Sequence, residues 1–126
     1  MRLGDCFLLR DRTIDGHLHV VISDPEKNPN KVLLASITTR APHKEAVCLF
    51  NANEHIWIKH QSCVSFAHAK LVPLSYLNSI QASGQLEMQP PFDNLMLRRI
   101  WGGALESEDL AMECADLLAE QGFIDL

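Results

Sequence analysis

No stretch of this chain approaches the roughly 20 consecutive apolar residues that a helix needs to cross a bilayer, so the sequence predicts no membrane association. Positive charge is in short supply. Eleven Lys and Arg face sixteen Asp and Glu, a formal charge of −5. That balance excludes a generally basic nucleic-acid binder and leaves room only for a local basic patch. None of the four cysteines, Cys6, Cys48, Cys63 and Cys114, stands in a C-x-x-C pair. No glycine-rich phosphate loop, internal repeat or low-complexity segment is present. The opening Met1-Arg2-Leu3-Gly4-Asp5 meets an acid before any apolar core, unlike a secretory signal. The expectation is a cytoplasmic protein whose thiols are reduced and mostly buried as small hydrophobes.

What is present is enough for one domain. The 126 residues are 47 % hydrophobic and 21 % charged, ordinary values for a folded soluble chain. Residues 1–126 are read as a single domain that divides near Pro73. The first part, 1–72, carries six strand-like segments. Asp5–Arg10 is a short apolar run. His17–Ser23 alternates and then turns fully apolar before the turn signal Asp24-Pro25. Lys31–Thr39 is rich in Val, Leu, Ile and Thr, which suit a pleated, half-buried surface. Ala46–Phe50 and Glu54–Lys59 follow. Cys63–Leu71 alternates throughout, with Val64, Phe66, His68 and Lys70 on one face. Short strands at close spacing without regular helices between them point to a small antiparallel barrel and argue against a parallel sheet.

Residues 73–126 read as a helical C-terminal extension. Pro73–Ala82 is predicted as a helix, and Gln85–Gln89 as a loop or one further strand. Pro90-Pro91 is expected to open a second helix, with Arg98 and Arg99 in its last turn and Gly102-Gly103 ending it. Ser107 is expected to cap a third helix, with Glu108 and Asp109 in its first turn. Gly122 would stop that helix, and Phe123 would fold back on its apolar stripe.

Six histidines invite a search for metal. Cys48, His55, His60, Cys63 and His68 are all competent zinc ligands. Their spacing matches no standard finger, and a regular strand would send His55 and His60 to opposite faces. The reading is therefore no metal and no cofactor. A thiol–imidazole pair, Cys63 with His60 or Cys48 with His55, lacks a nucleophile-elbow or papain-like context, so buried structural thiols are favoured. Asp5, Asp11, Asp15 and Asp24 flank strands and turns, where Asp normally serves local hydrogen bonding.

Cleavage of RNA needs no metal when the substrate's own 2′-hydroxyl attacks the adjacent phosphate. The protein then supplies an acid or base and a cation near the phosphorane. His19, Thr38 and Arg40 are candidate catalytic groups. His17, Thr39, His43 and Lys59 are candidate substrate contacts. His17 and His19 share a strand face, and Thr38-Thr39-Arg40 ends the next strand, where hydroxyls and a guanidinium can hold a phosphate.

At these residues the chain resembles a known family. Gly4-Asp5-x-Phe7 opens a strand, Val20-Val21-Ile22-Ser23-Asp24 ends the next, and Val32–Thr39 follows a loop with Asn28 and Asn30. Glu54-His55-x-Trp57-Ile58-x-His60-x-Ser62-x-Val64 comes later. That succession, over about the first 75 residues, is similar to the PemK/MazF-like growth-inhibitor toxins. The resemblance implies an SH3-like barrel with added helices, metal-independent cleavage of single-stranded RNA, a homodimer, and a small antitoxin partner. The family's strand-two arginine has no counterpart here. His19 stands nearest to it, and Thr38 matches the family's Ser/Thr at the end of strand three. Imidazole is mostly neutral near pH 7 and stabilises a phosphorane less than guanidinium does.

Two functional readings result. One is a toxin-like endoribonuclease. The other is a catalytically silent barrel that serves as a protein-binding module, favoured by the missing arginine and the negative charge.

Overall fold

The computed structural model describes residues 1–10 and 17–126, so Asp11 and Asp15 lie outside the described residues. The class is mainly β, α+β. The strands are β1 (Cys6–Leu9), β2 (Leu18–Val21), β3 (Val32–Thr39), β4 (Leu49–Phe50), β5 (Ser62–Val72) and β6 (Leu86–Gln89). Helices α1 (Leu74–Ala82), α2 (Asn94–Glu106) and α3 (Met112–Glu120) complete the chain. All six strands join one antiparallel sheet in the order β4-β5-β3-β2-β1-β6. The backbone ladder therefore has two ends. Side chains bring them together: Phe50 on β4 meets Phe92, just beyond β6, edge-on at 5.6 Å between ring centroids.

The two faces of the sheet have different covers. Cys6, Leu18, Val20, Leu33, Ala35, Ile37 and Val64 look into the main core, with Leu97 and Ile100 of α2 and Leu118 of α3 packed among them. Phe7, Val21, Val32 and Leu34 look the other way, into a smaller core closed by Leu77 and Ile80 of α1. β3 is central and is buried from Val32 to Thr38 on both faces, which explains its nearly unbroken apolar sequence. The C-terminal half is built into this arrangement. Its segment β6 pairs with β1 from Cys6↔Gln89 to Leu9↔Leu86.

Three expectations are corrected. Residues 54–59 form turns, not a strand. Local side-chain bonds hold them: Glu54 Oε1 accepts from the Asn51 amide at 3.0 Å, and His55 Nδ1 accepts from the Trp57 amide at 3.1 Å. Helix α2 starts after Asp93, not at Pro90-Pro91, because the Asp93 carboxylate accepts from the Met96 amide at 2.9 Å. It then runs through Gly102-Gly103 to Glu106, leaving Arg98 and Arg99 in its middle. Ser107 does not N-cap the third helix; it ends α2 instead, its amide donating to Gly103 O at 2.8 Å. Its hydroxyl accepts from the amides of Asp109 and Leu110 and shapes the bend before α3, whose first residue is Met112. Gly122 ends α3 as read, whereas the ring that Phe123 meets belongs to α2. Gly122 has φ +80°, a conformation that glycine tolerates best. Phe123 folds back to stack on Trp101, with ring centroids 4.2 Å apart.

β5 departs from its apparent alternation. Ser36 pairs with Ser65 and Leu34 with Lys70, so residues 66–69 of β5 bulge opposite the single Ala35. The three extra residues reverse the parity of the strand. Ser65 and Lys70 share a face, although one position is odd and the other even. Bulges of this kind bend a strand and re-aim side chains, and this one lies beside the polar end of the sheet.

Candidate functional site

The face that α1 covers at one end is polar at the other. Strand register puts His19 opposite Ser36, and continuing the ladder sets His17 opposite Thr38. Thr38 pairs with Cys63 and Ser36 with Ser65 on the next strand. Three strands thus present hydroxyls and imidazoles on one surface. Arg40 extends the β3–β5 ladder by donating its amide to Gln61 O at 3.0 Å.

Thr38 is the hub. Its hydroxyl is buried and accepts from the Lys44 ammonium at 2.8 Å. His17 Nε2 lies 3.5 Å from the same oxygen. Lys44 also donates to the Thr39 carbonyl at 2.9 Å. A turn in which the Lys44 amide bonds to Ala41 O brings this lysine back over the strand that has just ended. An ammonium carries three N–H donors, and two are used among the described residues, so one is left there for an incoming oxyanion.

Two hollows adjoin Thr38, and His17 and Lys44 line both. The larger, about 510 Å³, is lined further by Thr39, Trp57, Lys59, His60 and Ser62. No carboxylate occurs among its described lining residues. On a chain of charge −5 this is a local cationic patch with an aromatic ring in its wall. The smaller, about 260 Å³, runs beside the bulge. There Ser65 Oγ and His68 Nδ1 are 2.7 Å apart. His43, Glu45 and Asp109 also line it. Glu45 is committed to its own partners, accepting from Ser107 Oγ at 2.6 Å and from the Glu108 amide at 2.9 Å.

Of the residues singled out from sequence, His17, Thr38, Thr39, His43 and Lys59 come together at these hollows. Two do not. His19 is buried, stacks on Phe7 at 5.6 Å between ring centroids, and lines a separate hollow under α1. Arg40 lines neither cleft hollow and donates to Gln61 Oε1 at 2.9 Å. Sequence reasoning missed Lys44. The available signal was its place in a short turn-bearing loop directly after the Thr38-Thr39 strand end.

The remaining histidines and the thiols have other duties. His55 is buried, and its ring packs on Phe92 at 5.2 Å. Because its Nδ1 accepts from Trp57, its Nε2 carries the proton and donates to Pro90 O at 2.7 Å. Cys6 Sγ donates to the same carbonyl at 2.9 Å and lies 3.7 Å from the imidazole. Burial, and then the nearby Asp5, push the Cys6 thiol up to about 12. It is therefore a neutral donor and not a nucleophile. Burial likewise raises Cys48 to about 11. Burial also raises Cys63 beneath the cleft, against a smaller opposing pull from Lys44 and Arg40. All four cysteines are free and buried. Among the described residues no three His, Cys, Asp or Glu side chains gather as a metal site. No helix among them is long and apolar enough to cross a membrane.

No protein-family model, no curated protein and no solved structure matches this chain.

Proposed function

We propose that the chain is a metal-independent endoribonuclease of the toxin kind that cuts single-stranded RNA at the Thr38–Lys44 cleft. The observation that carries this reading is the hollow of about 510 Å³ lined by His17, Lys44, Lys59 and His60 with no described carboxylate. Cations and hydroxyls suit a phosphodiester, and the Trp57 ring in the same wall suits a stacked base. A single strand offers both without the cost of opening a duplex.

In this reading the substrate's 2′-hydroxyl loses its proton to an imidazole and attacks the adjacent phosphorus. The bond from phosphorus to the 5′-oxygen breaks, and a protonated imidazole returns a proton to that leaving oxygen. His17, beside the Thr38 hydroxyl, and His60, in the same hollow, fill these roles. Lys44 offers its remaining N–H to a non-bridging oxygen as negative charge grows there. The lysine is already fixed by Thr38 and by the Thr39 carbonyl, so little reorganisation is needed when charge develops. Lysine so takes the place of the arginine that strand two lacks. The homodimer and the antitoxin partner belong to the same proposal.

The test is purified protein with a labelled single-stranded RNA in excess EDTA. Fragments ending in 2′,3′-cyclic phosphate and beginning with a 5′-hydroxyl support the reading. RNA that is bound but left intact overturns the cleavage reading and leaves a catalytically silent RNA-binding cleft. RNA neither bound nor cut overturns both uses of the cleft for nucleic acid.

A further inference from the structure

Helix α1 meets the sheet through two buried side chains, Leu77 and Ile80. Beside that seam lies a hollow of about 380 Å³. Its walls are chiefly apolar, from Phe7 and Leu34 on the sheet to Leu77 and Ile80 on the helix. Three residues with polar groups punctuate them: His19, Lys70 and Tyr76. No Asp or Glu is among the described lining residues, and Lys70 is the one formal charge among them. The bulge in β5 is what puts Lys70 here. Had the strand kept its parity, position 70 would share a face with Val64 and look into the main core.

We propose that this hollow is a binding site for a small monocarboxylate with an apolar body. Ligand sites are concave, mostly apolar, a few hundred cubic ångströms in size, and carry a few placed polar groups. This hollow meets each of those conditions. The charge of Lys70 fixes the sign of the ligand's head group. The walls of Phe7, Leu34, Leu77 and Ile80 fix the character of its body. The site is separate from the Thr38–Lys44 cleft and does not depend on RNA chemistry.

Tyr76 is the chain's single tyrosine, and at 52 % exposure it is a natural reporter. The experiment titrates the full chain with octanoate and follows the Tyr76 and His19 ring resonances by NMR. Saturable shifts of both rings are expected. Octyltrimethylammonium, with the same chain and the opposite charge, is expected to leave them in place. Lys70→Gln alters an exposed side chain and keeps the fold. It is expected to weaken octanoate binding about three- to fivefold, the scale of one exposed ion pair, while 1-octanol binds wild type and variant alike. Shifts that never saturate, an equal response to the cationic surfactant, or unchanged octanoate affinity in Lys70→Gln would overturn the proposal. Tyr76→Ala, read at His19 alone, checks that the tyrosine reports the site without creating it, and loss of the His19 response there would also overturn it.

Discussion

Lys44 donates to the Thr38 hydroxyl at 2.8 Å, six residues after the strand position that it covers. This contact ties the Lys44 ammonium to a buried strand end, and His17, Thr38 and Lys44 line both hollows. The proposed chemistry depends on that fixed placement more than on overall charge, which is negative.

The two strand-two histidines are expected to behave differently. His17→Ala removes a cleft imidazole and is expected to lower RNA cleavage by about 10²-fold or more, the scale of a lost acid or base. His19→Phe keeps a ring against Phe7 and is expected to leave the cleavage rate within a few fold. Initial rates on one RNA, with thermal unfolding as the check on folding, distinguish them.

The paired glycines of α2 give opposite outcomes. A Cβ at Gly102 meets nothing within 4 Å, so Gly102→Ala is expected to stabilise by roughly 0.5–1 kcal/mol through helix propensity. A Cβ at Gly103 would sit 2.7 Å from Cys48 Cβ and 3.3 Å from Val47 O. Neither neighbour is the free end of a flexible chain, so Gly103→Ala is expected to cost about 1–3 kcal/mol. Denaturant midpoints measure both.

The thiols predict an alkaline limit. A Cys6 value of about 12 against an ordinary 9.0 means that the folded state holds the proton more tightly than the unfolded one. That contribution is whole below about pH 9 and disappears as pH rises towards 12. Stability is expected to fall across this window, and Cys6→Ala is expected to flatten the fall. At pH 8 the native chain is expected to be inert to a thiol reagent, with all four cysteines reacting after denaturation.

On the acid side the relevant pair is Glu54 and Arg99. The guanidinium bonds the carboxylate, also donates to Leu49 O at 2.6 Å, and lies 4.4 Å from the centre of the Phe50 ring. The hydrogen bond from Arg99, and then that from the Asn51 amide, hold the Glu54 carboxyl below its usual range. A lowered value contributes stability above the ordinary Glu pKa that is lost as pH falls through the shifted one. Glu54→Gln is expected to reduce the acid-side slope of unfolding. Because the pair is partly exposed, high salt is expected to shrink the difference.

Much of the sheet was legible because its residues advertise it. Val32–Thr39 reads as a strand from its β-branched content, and Asp24-Pro25 marks the turn. Where interpretation failed, local bonding or packing overrode the pattern. Ile56, Trp57 and Ile58 mimic alternation, yet Glu54 and His55 spend their side chains on nearby amides and hold a turn instead. Gly102-Gly103 imitates a helix end, but Gly103 is small because α2 crosses Cys48 closely. The bulge at residues 66–69 left no mark in the sequence, since the alternation runs straight through it. Part of the cleft was visible in Thr38, Thr39 and Lys59. Lys44 was not, because a lysine in a loop carries no signal of where its ammonium will land.

The most direct test is the cleavage rate of single-stranded RNA, in excess EDTA, by wild type and by Lys44→Met. Wild-type cleavage that falls about 10²- to 10³-fold in the variant, the scale of one lost preorganised donor, with an unfolding midpoint that stays close to wild type, is the predicted result. Equal rates for the two proteins, or no cleavage by either, would contradict the account.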